Sequence, residues 1–548
     1  MLTYKTPGVY VEEIATLPPS VAAVATAIPA FLGYTESGLI KQPIRLTSMV
    51  DYAQYFGGPK STAFTVNQTV SGDLQVTKTL TKAGETPPDY LMYYSLKMYF
   101  DNGGGPCYVV SVGNYGSNRQ HSDFTDGLNA LAKEDEPTLI LLTDAVNLAD
   151  PNDYYGLCGE ALAQCEKLGD RFAILDVLDG DTGAQAFRNA PGIGMNHLKY
   201  GAAYYPYLQS TLPYDYHDKS QVTVILASTY QPAAGGIKVI STYSAPNLDI
   251  QPGTAGVPID FDVTDSNSTL TIKNVPASGI DAKTLVDAWK AWKAKNNPVK
   301  FDIAQVGDGS IKVQPTSGPV TMPPLSESTT TLDALVNTQT QVYNQVVAAL
   351  ALQRIVMPPS PAIAGIYAAV DRDRGVWKAP ANVSVASVLG PKVKVTNDDQ
   401  ENLNVDPTAG KSINAIRSFV GKGTLVWGAR TLAGNDNEWR YVNVRRLFNM
   451  IEESTRKASA FAVFEANDAT TWLKVKGMIE AFLHGLWEQG ALAGPTSQSA
   501  YFVNVGLGKT MTTQDILEGR MIVEIGVAAV RPAEFIIIRF SHKLQGAS

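Results

Sequence analysis

The sequence predicts an α/β protein (α+β overall) of several domains, with a three-layer α/β middle domain, an α+β C-terminal domain and an extended strand at each end. Three observations carry this. Between Cys107 and Pro206, short apolar runs alternate with segments of helical periodicity. From Val444 onward, two amphipathic helices precede two strand-like runs. Both ends of the chain are strand-like with no obvious partner nearby, and an unpaired strand must find another molecule's sheet or aggregate. A length of 548 residues is too great for a single core.

In the middle segment the order is strand Tyr108 to Val112, helix Phe124 to Lys133, strand Leu139 to Leu142, helix Asp153 to Leu168, strand Phe172 to Val177, a short helix near Ala184 to Arg188, and strand Gly201 to Tyr205. Such alternation calls for a mainly parallel sheet covered by helices. Pro59 to Pro88 is rich in Thr, Lys and Gly and reads as a hairpin or loop. Residues 210–355 change character, with scattered Thr, Ser, Asp and Gly, strand-like pieces such as Val222 to Leu226, and helical runs Ala282 to Lys295 and Leu332 to Arg354.

In the C-terminal third, Val444, Leu447, Phe448 and Ile451 fall at i, i+3, i+4 and i+7, with Arg445, Asn449, Glu452 and Arg456 along another face. Trp472, Val475, Ile479, Phe482 and Leu486 form the apolar stripe of a second helix, with Asn467 or Asp468 available as its cap and Gly490 as its stop. Two strands follow, Met521 to Val530 and Glu534 to Phe540, separated at Arg531-Pro532, where a missing amide breaks the ladder. At the other end, Tyr4 to Ile14 alternates Val9 and Val11 with Tyr10 and Glu12 before Pro18-Pro19 excludes a helix.

Composition excludes several function classes. No stretch is long and apolar enough for a membrane span, and the run Val21 to Tyr34 lacks the basic flank of a secretory signal. Three cysteines, Cys107, Cys158 and Cys165, cannot build a disulfide framework and read as reduced core thiols, which points to a cytosolic folding compartment. The net charge is −8, yet from Ile413 to Ser548 Lys and Arg outnumber Asp and Glu by 15 to 12. This is too mild for nucleic acid and suits an acidic protein surface.

Catalytic and ligand motifs fail on spacing. Gly508-Lys509-Thr510 and Gly410-Lys411-Ser412 lack the leading glycine of a phosphate loop, where Val503 and Val405 stand instead. Asn102-Gly103-Gly104-Gly105-Pro106 runs into a strand rather than opening a helix, which makes it a tight turn. The five histidines, His121, His197, His217, His484 and His542, show no metal-ligand spacing. Asp144 and Asp179 follow buried strands, where open sheets keep ligands; they support an alternative reading as an α/β enzyme, although neither has a nucleophile or base nearby in sequence. Asp371-Arg372-Asp373-Arg374 reads as an ion-pair network at a domain or subunit contact. The Thr/Ser-rich stretch 210–355 supports a third reading, a surface adhesin.

Several motifs together resemble one family. Pro7-Gly8-Val9-Tyr10-Val11-Glu12-Glu13 is similar to the opening of contractile tail sheath proteins, found in contractile phages, tailocins and extracellular contractile injection systems. Tyr99 to Gly104 leading into Cys107 to Val110 resembles the family's helix, glycine turn and strand. Pro358-Pro359-Ser360, Ala364 to Tyr367 and Gly375 to Asn382 resemble its central block. Ile413 to Arg417, Val426 to Leu432, Trp439 to Leu447 and Pro532 to Ile536 resemble its C-terminal domain.

The resemblance implies a non-enzymatic structural subunit without cofactor, catalytic residues or bound metal, polymerising as stacked hexameric rings around an inner tube and contracting to drive that tube through a target envelope. It implies partners that include further copies of the chain, the tube protein, baseplate and cap proteins, with no direct contact to nucleic acid or membrane, and assembly in the bacterial cytoplasm. The division expected is an N-terminal arm strand over 1–20, an inner domain of 21–58 with 410–533, a variable loop or hairpin over 59–88, a middle α/β domain of 89–209 with 356–409, a surface insertion over 210–355, and a C-terminal arm strand over 534–548. The arm residues expected to pair with neighbours are Val9, Tyr10, Val11, Glu12, Phe535, Ile536, Ile537, Ile538, Arg539 and Phe540. Arg445, Arg456, Lys474 and Lys476 are the candidates for facing the tube.

Overall fold

The computed structural model describes residues 20–68, 74–78, 89–216 and 220–538, apart from 227, 234, 255, 297–298, 325, 407 and 409. The chain divides into two compact units, one of Met1–Lys60, Pro88–Leu212 and Arg354–Ser548, the other of Ser61–Pro87 and Pro213–Gln353.

The first unit is built on a nine-stranded sheet. Its strands in chain order are β1 (Pro29–Thr35), β2 (Ile44–Leu46), β3 (Cys107–Asn114), β4 (Leu139–Leu142), β5 (Phe172–Asp176), β6 (Gly201–Tyr205), β7 (Val383–Ser384), β8 (Ile413–Phe419) and β9 (Gly423–Val426). Across the sheet they run β2-β3-β1-β4-β5-β6-β8-β9-β7. The six strands from β3 to β8 are mutually parallel, and the antiparallel pairs lie at the two edges. Parallel strands need helical crossovers. These include α1 (Met92–Asp101), α2 (His121–Leu131) and α3 (Pro151–Leu168), joined later in the chain by α4 (Ser360–Arg374). Ala30, Leu32 and Val110 point into one core with Phe124 of α2 and Leu162 of α3. Phe31, alternating with them, meets Tyr99 of α1 edge to face, with ring centroids 5.2 Å apart.

This sheet corrects two of the expected boundaries. Residues 29–35 are not part of a separate inner domain; β1 is a central strand between β3 and β4, as its continuous buried run PAFLGYT requires. Residues 413–426 likewise extend the same sheet through β8 and β9, so one sheet crosses the proposed division between inner and middle domains.

The rest of the first unit contains α5 (Val442–Ala458), α6 (Ala469–Glu488) and a two-stranded antiparallel sheet of β10 (Tyr501–Val505) and β11 (Val523–Val527). Leu447 and Ile451 of α5 pack with Val475, Ile479, Leu483 and Leu486 of α6 and with Val503. The predicted cap is present: Asp468 accepts from the amides of Thr470 and Thr471.

In the second unit, residues 64–68 and 74–78 form a hairpin whose first strand also pairs with 221–226, and 326–331 completes a four-stranded sheet. The stretch 59–88 is therefore no independent loop: its strands share a sheet with the segment expected as an insertion. The helical run Leu332 to Arg354 is broken at Gln339 into Leu332–Thr338 and Thr340–Ala351. A further core in this unit gathers around buried Trp289, whose Nε1 donates to Asp302 Oδ1 at 2.9 Å.

Candidate assembly interface

The expected C-terminal arm begins at a fixed point. Glu534 is gripped from three sides: Arg430 Nε donates to Oε1 at 2.9 Å and Nη2 to Oε2 at 2.7 Å, Tyr441 Oη donates to Oε2 at 3.0 Å, and Asn404 Nδ2 to Oε1 at 2.9 Å. A fork of two parallel N–H···O bonds fixes direction as well as distance. Burial raises the pKa of Glu534, but the bonds from Arg430 and Asn404 outweigh it and hold the carboxyl below its ordinary value. Just upstream, the Val530 carbonyl accepts from Asn443 Nδ2 at 3.2 Å.

Beyond this root the described residues are bare. Phe535, Ile536, Ile537 and Ile538 are 70–80% exposed, and they pair with no strand among the described residues. Over its described part, residues 534–538, the expected strand is therefore not formed among the described residues, since β11 ends at Val527 and Pro532 separates it from the isoleucine run. Four consecutive large apolar side chains in water are the composition of a strand awaiting a ladder. Arg539, Phe540 and the N-terminal residues Val9, Tyr10, Val11 and Glu12 lie outside the described residues.

The four basic candidates do not form one face. Arg445 is 2% exposed: its guanidinium stacks 4.2 Å from the Trp439 ring centroid and 5.1 Å from that of Tyr200, while Nε donates to Asn449 Oδ1 at 2.7 Å and Nη2 to Glu452 Oε1 at 2.9 Å. It is a packing residue and cannot face a partner, because the aromatic cage satisfies the cation inside the chain. Arg456 is exposed but pairs with Glu453 at 2.6 Å and Asp135 at 3.4 Å. On α6, Lys476 pairs with Glu480 at 3.5 Å, and Lys474 is exposed.

The carboxylates of the enzyme reading serve the fold. Asp144 is buried at the end of β4, its Oδ2 accepting from the Tyr34 amide at 2.7 Å and its Oδ1 from the Leu91 amide at 2.5 Å. Burial pushes its pKa up to about 7. Gly33 permits this approach, since a Cβ there would lie 2.4 Å from Asp144 Oδ2. Asp179 pairs instead with Lys392 at 2.5 Å, so the two carboxylates are committed to different partners. Asp176 is buried as well, with a pKa pushed up to about 7, and accepts from Ser360 N at 2.7 Å and Oγ at 2.6 Å, tying β5 to the start of α4. Lys411, from one rejected phosphate motif, buries its Nζ on the Arg188 carbonyl at 2.8 Å. Among the described residues no group of His, Cys, Asp and Glu could hold a metal ion, and no helix is long and apolar enough to cross a membrane.

Within Asp371-Arg372-Asp373-Arg374 the important partner lies elsewhere in the chain: Asp371 forms a buried pair with Arg446 at 2.5 Å. Sequence reading missed Arg430, Tyr441, Arg446 and Glu534 as a set. The available signal was Glu534 itself, a lone carboxylate between Pro532 and an isoleucine run, which needs a cation if it is covered.

Comparison with known proteins agrees with this geometry. The family model described as the phage tail sheath C-terminal domain matches residues 434–543. The tail sheath protein of Vibrio phage KVP40 is 26% identical over 192 residues, 35% of this chain and 27% of that protein; the tail sheath protein of Burkholderia phage BcepMu is 31% identical over 142 residues, 25% and 29% of the two chains. The aligned stretches thus span little more than a quarter of these relatives. Solved structures extend the likeness over nearly the whole chain. The sheath complex of PVC, an extracellular contractile injection system, in its contracted state superposes with a TM-score of 0.55 at 26% identity, covering 99% of both chains. The helical sheath of the anti-feeding prophage in its contracted state superposes with a TM-score of 0.55 at 26% identity, covering 99% of this chain and 100% of that one. Each of these relatives is a sheath protein rather than an enzyme. Residues 434–543 thus match the phage tail sheath C-terminal domain, and the fold is shared over nearly the whole chain with contractile injection system sheaths.

Proposed function

We propose that this chain polymerises as stacked hexameric rings around an inner tube and that the resulting sheath contracts to drive the tube through a target envelope. The observation that carries the reading is the exposed run Phe535–Ile538 leaving a firmly held Glu534. A strand donated to a neighbour's sheet forms roughly five backbone hydrogen bonds of about 0.5–1.5 kcal/mol each, enough to join subunits while leaving them free to turn. The two-stranded β10–β11 sheet is the natural recipient, because a lone pair of strands gains most from further strands. Head-to-tail contacts that do not close build filaments. Rigid-body exchange between two docked arrangements then supplies the stroke without nucleotide hydrolysis.

The partners of this reading are further copies of the chain, the tube protein, baseplate and cap proteins, with assembly in the bacterial cytoplasm as part of a phage tail or tail-like particle. Arg456, Lys474 and Lys476 remain the candidates for meeting an acidic tube. Negative-stain imaging of the chain co-expressed with its tube protein, before and after a contraction trigger, tests the proposal: hollow cylinders that shorten and widen are expected, and protein that stays monomeric beside assembled tubes would sink it.

A further inference from the structure

Both ends of the described chain are held by the same helix. On entry, the Val24 amide donates to Ser454 Oγ at 3.0 Å, the Thr26 carbonyl accepts from Arg446 Nη2 at 2.9 Å, and Thr26 Oγ1 donates to Asp371 Oδ2 at 2.5 Å. Arg446 also donates to Asp371 through both terminal nitrogens, at 3.1 and 2.5 Å, with its guanidinium 4.5 Å from the Tyr367 ring centroid. On exit, Asn443 Nδ2 holds the carbonyls of Val530 and Trp377, and Tyr441, the residue preceding α5, joins Arg430 and Asn404 on Glu534. Ser454, Arg446 and Asn443 all belong to α5.

We propose that α5 is the mechanical coupler of the subunit, carrying tension from the N-terminal arm to the C-terminal arm through Arg446–Asp371–Thr26 at one root and, at the other, through the Glu534–Arg430 fork and the backbone bonds from Val442 N to Ala429 O at 3.0 Å and from Thr431 N to Arg440 O at 2.8 Å that join Arg430 to the start of the helix. This rests on the reading that the arms pair with neighbouring copies. At about 1.5 Å per residue, Tyr441 and Arg446 are separated by only about 8 Å along the helix axis. The path between the roots is therefore short and runs along a hydrogen-bonded rod. Without the Glu534 clamp, a pull on Phe535 would meet the Asn443–Val530 bond and the Leu492–Ala529 bridge before it reached β11 and peeled it from β10 one hydrogen bond at a time, and a two-stranded ladder resists that poorly. The clamp sits between the pull and the ladder. Its charge-assisted fork must part as a unit.

The test uses the full chain co-expressed with the tube protein. Glu534→Gln removes the charge and the fork, while Tyr441→Phe leaves the fork intact and serves as the conservative control. Expected for Glu534→Gln are a monomer that stays folded with melting lowered, because Arg430 is left without its carboxylate, extended sheaths as in the wild type, and, after contraction with urea, loss of full-length cylinders into fragments of a few rings; Tyr441→Phe stays whole. Contracted cylinders of wild-type length from Glu534→Gln would overturn the proposal. A folded Glu534→Gln monomer that builds no sheath would overturn it too, by moving the clamp's role from tension to assembly. A chain ending at Glu534 separates this failure from failure of the underlying reading. If that truncation builds normal sheaths, the arm is no joint; if it builds none while Glu534→Gln contracts intact, only the coupler is lost.

Discussion

The nine-stranded sheet and the C-terminal root both depend on covered carboxylates, and they use them in opposite electrostatic senses. In the sheet, Asp144 and Asp176 meet only neutral donors: the Tyr34 and Leu91 amides for one, the Ser360 amide and hydroxyl for the other. Desolvation wins and their pKa rises to about 7. At the root, Glu534 meets a guanidinium and its pKa falls. The comparison teaches that the set of donors a covered carboxylate meets, and not its depth of burial alone, decides the direction in which its pKa moves. Neutral donors position strands inside the sheet; the ion pair fixes the point at which the exposed run Phe535–Ile538 leaves the fold.

Four experiments break or sharpen this contrast. The largest effect is expected from Arg446→Met, which strands Asp371 without its buried cation; about 3–5 kcal/mol of stability should be lost in urea unfolding of the monomer, and much of it recovered in Arg446→Met with Asp371→Leu. Next is Asp144→Ala, which leaves two buried amides without acceptors at about 1–3 kcal/mol each, read by the same measurement. A smaller loss would show that water reaches the end of β4.

The pH dependence separates the two regions by sign. Asp144 and Asp176 bind their protons more tightly folded than unfolded, so their contribution is fully present below the unfolded carboxyl value near pH 4 and is lost as pH rises towards about 7. Glu534 is the reverse: its contribution is present above the unfolded value and lost as pH falls through the depressed folded pKa. Hydrogen exchange should show the amides of 528–534 deprotecting in acid, where β4 and β5 are most firmly held. The reverse order would refute the contrast. The smallest effect on the fold is expected from replacing Phe535–Ile538 by serines. Monomer stability should change by less than about 0.5 kcal/mol, because these side chains are already in water, while polymer is lost in sedimentation.

Much of the architecture was legible because the parallel strands are nearly uninterrupted apolar runs and the helices between them keep their period. The strands Leu139–Leu142 and Gly201–Tyr205 stand where the pattern places them. The position of β1 was not legible, since nothing local in PAFLGYT says which strands flank it; its neighbours begin at Cys107 and Leu139. Arg445 misled for a related reason. Helical periodicity puts it on the polar stripe, but Trp439 and Tyr200 cover Arg445 itself, and a guanidinium can be buried against aromatic faces. The bare end was visible as composition, whereas its clamp was not. Arg430 lies 104 positions before Glu534, and no periodicity links two residues that meet only through the fold.

Both roots belong to the first unit, while residues 61–87 and 213–353 leave it and return as excursions. Both roots can therefore keep their spacing when those excursions grow or shrink. Grafting a foreign module between Leu212 and Arg354 is the engineering use of that freedom.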